Sequence, residues 1–406
     1  MSGRARANGE GSIFPYRSGF AAYVWVVTPN GQRKRKYVYG RTREIVHDKW
    51  VRLQGQAKAG PVATSTPTVA EFLTYWLAEV VRPNLKPKTY EKYEAFVRLY
   101  IVPGLGPKRL GKLGVRNMRV WLNEVRRTCQ CCAQGKDAAR PVAARRCCAA
   151  GKCCGAVPSG YVVQIARDVL RSALGTAVTE ELVARNVAAL VKVPTPRRPQ
   201  RKPWSADEAR RFLESARAVS DPLFAAYVLV LALGLRRGEV LGMSWEDVDL
   251  DGGELQVSRQ LQRVHGQLLH GGTKTEGSAA GLPLPDICVT ALRLRRRQQA
   301  VDQLAAGEVW QGEGLVFTTR FGRPVEPRNF NRSFDTRCQA AGARRIRVHD
   351  TRHTCASLLA EMDVHPRTAM QILRHSRVAM TLDVYSKVSS KATRDALKRL
   401  GSSLDT

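Results

Sequence analysis

Acidic residues are scarce in this chain. Over 406 residues, 35 Asp and Glu face 66 Lys and Arg, which leaves a formal charge of +31. A small neutral substrate gives no reason for such an excess, whereas a long polyanion does. Long hydrophobic runs are also missing. The longest, Phe224 to Leu233, is far too short to cross a bilayer. The basic opening MSGRARANGEGS has no apolar stretch behind it, so no secretory signal is expected. No internal repeat is visible, and no aromatic signature of the common RNA-binding modules occurs. A soluble, cytoplasmic, nucleic-acid-binding protein without a membrane partner is the expectation. With 44% hydrophobic and 7% aromatic residues, the chain can still bury real cores.

Ten cysteines are present, and seven of them crowd between Cys129 and Cys154. In a reducing compartment such crowding points to metal or free thiols rather than disulfides. The surrounding segment 126–158 carries seven Lys or Arg and a single Asp. Cys129-x-x-Cys132 with Cys148-x4-Cys153 is a candidate four-thiolate structural zinc site. The spacing is irregular, and seven ligands exceed the needs of one ion.

Three domains are expected. Residues 1–60 read as a small basic unit with strands at Ser12–Tyr16, Ala21–Val27 and Lys34–Tyr39. Pro29-Asn30-Gly31 supplies the turn, and a helix follows from Thr42 to Gln54 with Thr42 as its N-cap. Such a sheet can enter a DNA groove, or its basic third strand can simply guard an edge against aggregation. Residues 55–67 have linker composition. Residues 68–194 read as all-helical: a helix from Thr68, then Lys88–Tyr100, Arg116–Arg126, Tyr161–Ala177 and Thr179–Val191, with the cysteine insert between them. Thr195–Pro203 holds three prolines and marks the main boundary. Residues 204–406 alternate helices with short strands at Glu254–Arg259, Leu268–Leu269 and Gly281–Leu284.

Four stretches of this last domain offer cations or hydrogen-bond donors, and one offers a nucleophile. Gly234-Leu235-Arg236 ends an apolar helix, with Glu239 placed to orient the Arg236 guanidinium toward a phosphate. Lys274 follows Gly272-Thr273 and reads as the end of the first strand of a hairpin closed by Gly281–Leu284. A lysine held there can protonate a departing oxygen. His349 and Arg352, three apart, share one helix face, with Asp350 as a capping group. Tyr385 follows His375 by ten residues, on what reads as the next helix, with Ser376 beside the histidine.

In that order, Arg236, Lys274, His349, Arg352, His375 and Tyr385 make the stretch resemble the tyrosine recombinase family, the phage-type integrases similar to that of bacteriophage lambda. Thr381-Leu-Asp-Val-Tyr385-Ser resembles the family's approach to its nucleophile, while Arg374 stands where the family usually has Gly. The resemblance implies a multidomain, mainly α fold. Its parts are an arm-type DNA-binding domain of three strands and a helix, a helical core-binding domain, and a mixed α+β catalytic domain.

The resemblance also implies chemistry. Arg236 and Arg352 clamp the scissile phosphate, His375 adds a hydrogen bond, His349 accepts the phenol proton, and Lys274 protonates the 5′ oxygen. Tyr385 attacks to give a 3′-phosphotyrosyl intermediate, without ATP or a catalytic metal. Implied partners are double-stranded attachment sites, three further copies in a tetramer on two duplexes, a directionality factor and a DNA-bending host protein. The setting is the bacterial cytoplasm, on nucleoid DNA. A type IB topoisomerase-like enzyme and a non-catalytic DNA-binding regulator are the competing readings.

Overall fold

A computed structural model describes residues 13–28, 31–60, 62, 66–194, 202–272, 280–374, 378–385, 398 and 400–402. The chain divides into two compact units, Met1–Arg197 and Arg198–Thr406.

The first unit opens with an antiparallel sheet of β1 (Phe14–Tyr16), β2 (Gly19–Val27) and β3 (Arg33–Gly40), backed by α1 (Arg43–Ala59). Strand alternation sorts the faces. Ala22, Val24, Val26 and Val38 point at Val46, Trp50 and Leu53 of α1, forming the local core. Thr42 caps α1 by accepting from the Ile45 N–H (3.3 Å). The helix continues past Gln54 to Ala59, so the first part of the expected linker 55–67 is helical. Leu53 and Ala57 pack there against Val26 and Val62, and this burial holds the last turns.

The rest of the unit is helical. α2 (Val69–Tyr75) starts on a reciprocal Thr68–Glu71 capping box and runs into a more widely wound stretch, Trp76–Val81. α3 (Pro87–Phe96), α4 (Val115–Arg127) and α5 (Gly160–Thr179) enclose a core that includes Phe72, Trp76, Trp121 and Leu170. Tyr93 stacks on Trp76, with ring centroids 5.6 Å apart. The expected helix Thr179–Val191 does not form. Glu181 takes a left-handed φ of 57° just past α5, and residues 180–190 run as turns. The Asn186 side chain holds them by donating to the Arg171 carbonyl (2.8 Å). Val187, Ala188 and Val191 are buried from that irregular backbone, so their apolar spacing mimics a helix.

The second unit is built around α7 (Phe224–Ala232), whose residues Ala225 to Leu231 are all buried. This is the longest apolar run of the sequence, and it is the central helix of a core. α6 (Ala206–Ala218), capped by Ser205 and Glu208, packs on it together with α9 (Asp286–Ala306) and α11 (Val348–Glu361). Trp204, Phe212, Tyr227, Phe330 and Phe334 interlock at centroid spacings of 5.0–5.9 Å.

α8 (Arg237–Leu241) lies against β6 (Arg259–Val264), where a Cβ on Gly242 would meet Gln260 backbone at 2.7 Å. β6 pairs with β7 (Gln267–Gly272), while β4 (Val248–Asp249), β5 (Glu254–Val257) and β8 (Ala280–Pro283) form a separate sheet. The strand before Lys274 therefore hairpins backward onto β6, and the strand after it pairs with β5. This corrects the expected hairpin between them. α10 (Pro327–Ala340), α12 (Pro366–Leu373) and α13 (Val378–Tyr385) complete the unit.

Candidate active site

Arg236 sits at the joint between α7 and α8. Gly234 makes that joint possible, with a left-handed φ of 57° and no room for a side chain: an added Cβ would lie 2.6 Å from the Leu373 methyl Cδ2. Glu239, one turn into α8 and 3% exposed, gathers the charges around it. Its Oε1 accepts from Arg236 Nη1 (2.5 Å), and its Oε2 accepts from the Arg236 backbone N–H (2.9 Å) and from Arg374 Nη2 (2.6 Å). Arg352, on α11, is nearly as buried and donates from Nη1 to the Gly234 carbonyl (2.7 Å).

Two guanidiniums thus share one carboxylate, and that of Arg352 stands close enough for its charge to be felt. Burial, then the like charges of Arg236 and Arg374, lower the pKa of Arg352. Burial lowers that of Arg374 as well. Its Nε is buried without a hydrogen-bond acceptor among the described residues. A surplus of desolvated positive charge with donors still to be satisfied is a receptor for an anion such as a phosphodiester.

His349 lies one turn before Arg352 on α11 and is exposed. Its imidazole stands edge-on to His353, 5.8 Å between centroids. Desolvation first, then the neighbouring His353 and Arg352, lower its pKa from the usual histidine value, which favours the neutral form that can accept a proton. Asp350 caps the same helix by accepting from the Arg347 N–H (3.1 Å). Tyr385 closes α13, and its hydroxyl donates to the Val364 carbonyl (2.6 Å) in the turn between α11 and α12. Desolvation raises its pKa, and a hydrogen bond from the phenol favours the protonated form. Lys274 and His375 lie outside the described residues.

Sequence reasoning treated Arg374 only as a departure from a family habit. Its φ of 51° shows why glycine suits that position, and its guanidinium makes it a third member of the cluster. A buried-charge partner for Glu239 was the available signal, but nothing local connects positions 135 residues apart.

On the N-terminal sheet, the face away from α1 carries Tyr16, Tyr23, Trp25, Tyr37 and Tyr39. Tyr23 lies opposite Tyr37 (5.6 Å between centroids), and Tyr39 stacks on Tyr37 (6.3 Å). Arg35 lies over both Trp25 (4.7 Å) and Tyr23 (4.9 Å), and Arg33 over Trp25 (5.1 Å). This is an exposed aromatic surface studded with guanidiniums.

The seven insert cysteines are free thiols, and six of them gather into two groups, with Cys154 beside Cys129 (3.7 Å). Cys129, Cys132 and Cys153 form one, and Cys131, Cys147 and Cys148 the other. The expected quartet is therefore divided, with Cys148 in the second group. The cause is Asp137, which accepts from the N–H groups of Cys147 (2.9 Å) and Ala149 (3.0 Å) and fixes that turn beside Cys131.

The chain resembles known proteins along most of its length. A model described as the phage integrase family matches residues 204–392, and one for a phage integrase N-terminal SAM-like domain matches 68–125. The chain is 27% identical to a XerC-like tyrosine recombinase of Caldanaerobacter subterraneus, covering 91% of this chain and 92% of that one. It is also 27% identical to an integrase of Streptomyces ambofaciens, covering 89% of each. Among solved structures, the Tn1549 transposon integrase bound to circular intermediate DNA superposes with a TM-score of 0.62 at 18% identity, over 82% of this chain and all of that one. A lambda integrase dimer on a core site gives 0.51 at 17% identity, over 94% and 96%. On these matches, the chain belongs to the phage integrase family of tyrosine recombinases.

Proposed function

We propose that this integrase exchanges DNA strands at attachment sites of a mobile element, using Tyr385 as nucleophile. The observation that carries the reading is the arginine cluster: Arg236, Arg352 and Arg374 around the single carboxylate of Glu239. A phosphodiester seated there meets charge already oriented and desolvated, so the extra negative charge of a pentacoordinate phosphorus is stabilised without reorganisation. Arg236 and Arg352 hold the nonbridging oxygens, and His375 adds a donor.

Tyr385 gives up its bond to the Val364 carbonyl, passes its proton to His349, and attacks phosphorus. The new Oη–P bond forms as the P–O5′ bond breaks, and Lys274 protonates the leaving oxygen. Attack by a 5′-hydroxyl of another duplex reverses the step and completes the exchange. The bond energy stays in the phosphotyrosine, so the strand exchange draws on no cofactor. Lambda integrase is known as a tetramer on a Holliday junction, and we extend that assembly, four copies on two duplexes, to this chain. A directionality factor and a DNA-bending host protein would choose between integration and excision. Among the described residues no helix is long and apolar enough to cross a membrane, which suits work on nucleoid DNA in a bacterial cytoplasm.

The test is a nicked suicide duplex containing DNA from beside the protein's own gene, incubated in magnesium-free buffer. Labelled DNA should stay attached to protein on a denaturing gel, and Tyr385→Phe should abolish attachment while retaining binding. Binding without attachment by the unaltered protein would favour a regulator. Relaxation of any supercoiled plasmid, without site preference, would favour a topoisomerase.

A further inference from the structure

Residues 126–158 interrupt the helical domain with a segment whose buried cluster is sulfur. Cys129, Cys131 and Cys147 are its buried members, with Cys148 packed on them. Regular structure amounts to one helical turn, Gln130–Ala133, and two 3₁₀ turns, Val142–Ala144 and Cys148–Ala150. A segment this short, without an aliphatic core, needs a covalent or metal staple to hold one shape. Its backbone is nonetheless arranged. Asp137 is fully buried and accepts from three backbone N–H groups, those of Arg146, Cys147 and Ala149, and from Arg140 Nη1 (2.9 Å). The Gln130 N–H donates to the Ala156 carbonyl (2.9 Å), which joins the two ends.

The sulfur spacings decide what the staple is. A tetrahedral zinc with Zn–S bonds of about 2.3 Å puts its sulfurs about 3.8 Å apart. In the first group, Cys132 and Cys153 are 3.6 Å apart, and Cys129 stands within 4.8 Å of both. In the second, the three spacings are 3.3 Å (Cys131–Cys147), 3.5 Å (Cys131–Cys148) and 3.9 Å (Cys147–Cys148). Each group is one face of a tetrahedron and lacks a fourth corner. Cys154 reaches both: its sulfur is 3.7 Å from Cys129, and it also interacts with Cys131. Two four-coordinate ions need eight sulfur positions, and seven thiolates supply eight when one of them bridges. Clusters containing inorganic sulfide seat at most two protein thiolates on one iron, so a trio of mutually adjacent sulfurs does not fit them.

We propose that the insert holds a binuclear zinc centre, with Cys129, Cys132 and Cys153 on one ion, Cys131, Cys147 and Cys148 on the other, and Cys154 bridging the two. Binding releases the seven thiol protons to solvent and involves no oxidation. Seven thiolates and two zinc ions carry a net charge of −3. The seven Lys and Arg of 126–158, less Asp137, supply +6 around it. The exposed sulfurs of Cys132, Cys153 and Cys154 give the ions a way in. The centre is structural: every sulfur is used, and no coordination position is left for water or substrate.

Full-length protein purified under reducing conditions without chelator should carry two zinc ions per chain by native mass spectrometry and elemental analysis. After exchange of zinc for an NMR-active cadmium isotope, two resonances should appear with mutual scalar coupling through the shared sulfur. Cys154→Ser should remove that coupling. One zinc per chain, or two uncoupled cadmium signals, would overturn the bridged centre. Folded protein with no zinc, its thiols free or paired as disulfides, would overturn the site altogether. If Cys154→Ser fails to fold, the stoichiometry and coupling of the unaltered chain still decide.

Discussion

Arg374 Nη2 and Glu239 Oε2 lie 2.6 Å apart, with side chains 1% and 3% exposed, so the loop after α12 is tied to the start of α8 by a buried ion pair. The pair is asymmetric in what its loss would leave. Without Arg374, Glu239 keeps Arg236. Without Glu239, three guanidiniums face one another. Breaking a buried pair by removing one partner costs about 3–5 kcal/mol, and the larger cost should fall on Glu239→Ala. Arg374→Gly should be milder than Arg374→Ala, because position 374 has φ 51° and glycine adopts it freely. Thermal unfolding of the three variants checks the order. Equal losses for Arg374→Gly and Arg374→Ala would mean that the backbone there relaxes.

Gly234 makes a second prediction. Alanine would meet Leu373 at 2.6 Å and would have to hold a φ of 57°. Overpacking costs about 1–3 kcal/mol, and the displaced backbone carries the carbonyl that accepts from Arg352. Gly234→Ala should lose stability and, more severely, covalent complex formation. Adding Leu373→Ala should recover part of the stability by clearing the clash. Recovery of cleavage without any shift in melting temperature would contradict this account.

These contacts show where the sequence is informative. The short boxes lie on single elements, so spacing alone placed His349 and Arg352 on one helix and Arg236 at a joint. The Thr42 cap was legible for the same reason, since a cap is settled within four residues. What required the structure was long-range pairing. Alternation marks β7 as a strand but does not say that β6, rather than β8, is its neighbour. The buried Val187, Ala188 and Val191 have helical spacing on a chain of turns. Seven closely spaced cysteines suggest metal, yet only Asp137, by pinning the Cys147–Ala149 turn, sorts them into groups.

His349 sets the acid limb of the reaction. Its pKa lies below the ordinary histidine value of 6.5, chiefly through desolvation. The neutral form accepts the proton, so the rate of covalent complex formation should stay on its plateau as pH falls through 6.5 and decline only below it. The same shift acts on folding. The unfolded chain binds the proton more readily, so stability present above 6.5 is lost as pH falls through the folded value. Single-turnover cleavage from about pH 5 to 8 reads the limb directly. His349→Gln should lower the plateau and flatten the limb, and an unchanged profile in that variant would assign the titration to another group.

The aromatic face of the N-terminal sheet should bind DNA through its arginines, with the rings as their support. Arg35 lies 4.7 Å from Trp25 and 4.9 Å from Tyr23, a double cation–π contact that holds the guanidinium against the sheet. Such a contact is worth about 0.5–1 kcal/mol at an exposed site. It therefore orients more than it stabilises, and Trp25→Ala should leave the fold intact while weakening binding. Arg33→Ala and Arg35→Ala act differently. Each phosphate contact removed lowers the slope of log affinity against log salt by about 0.9. Fluorescence anisotropy over a salt series, on duplexes flanking the core site, separates the two effects. Trp25→Ala should shift the line with little change of slope, whereas each arginine variant should reduce the slope. If both arginine variants keep the full slope, the face does not touch phosphate, and the basic third strand is there to discourage edge-to-edge pairing.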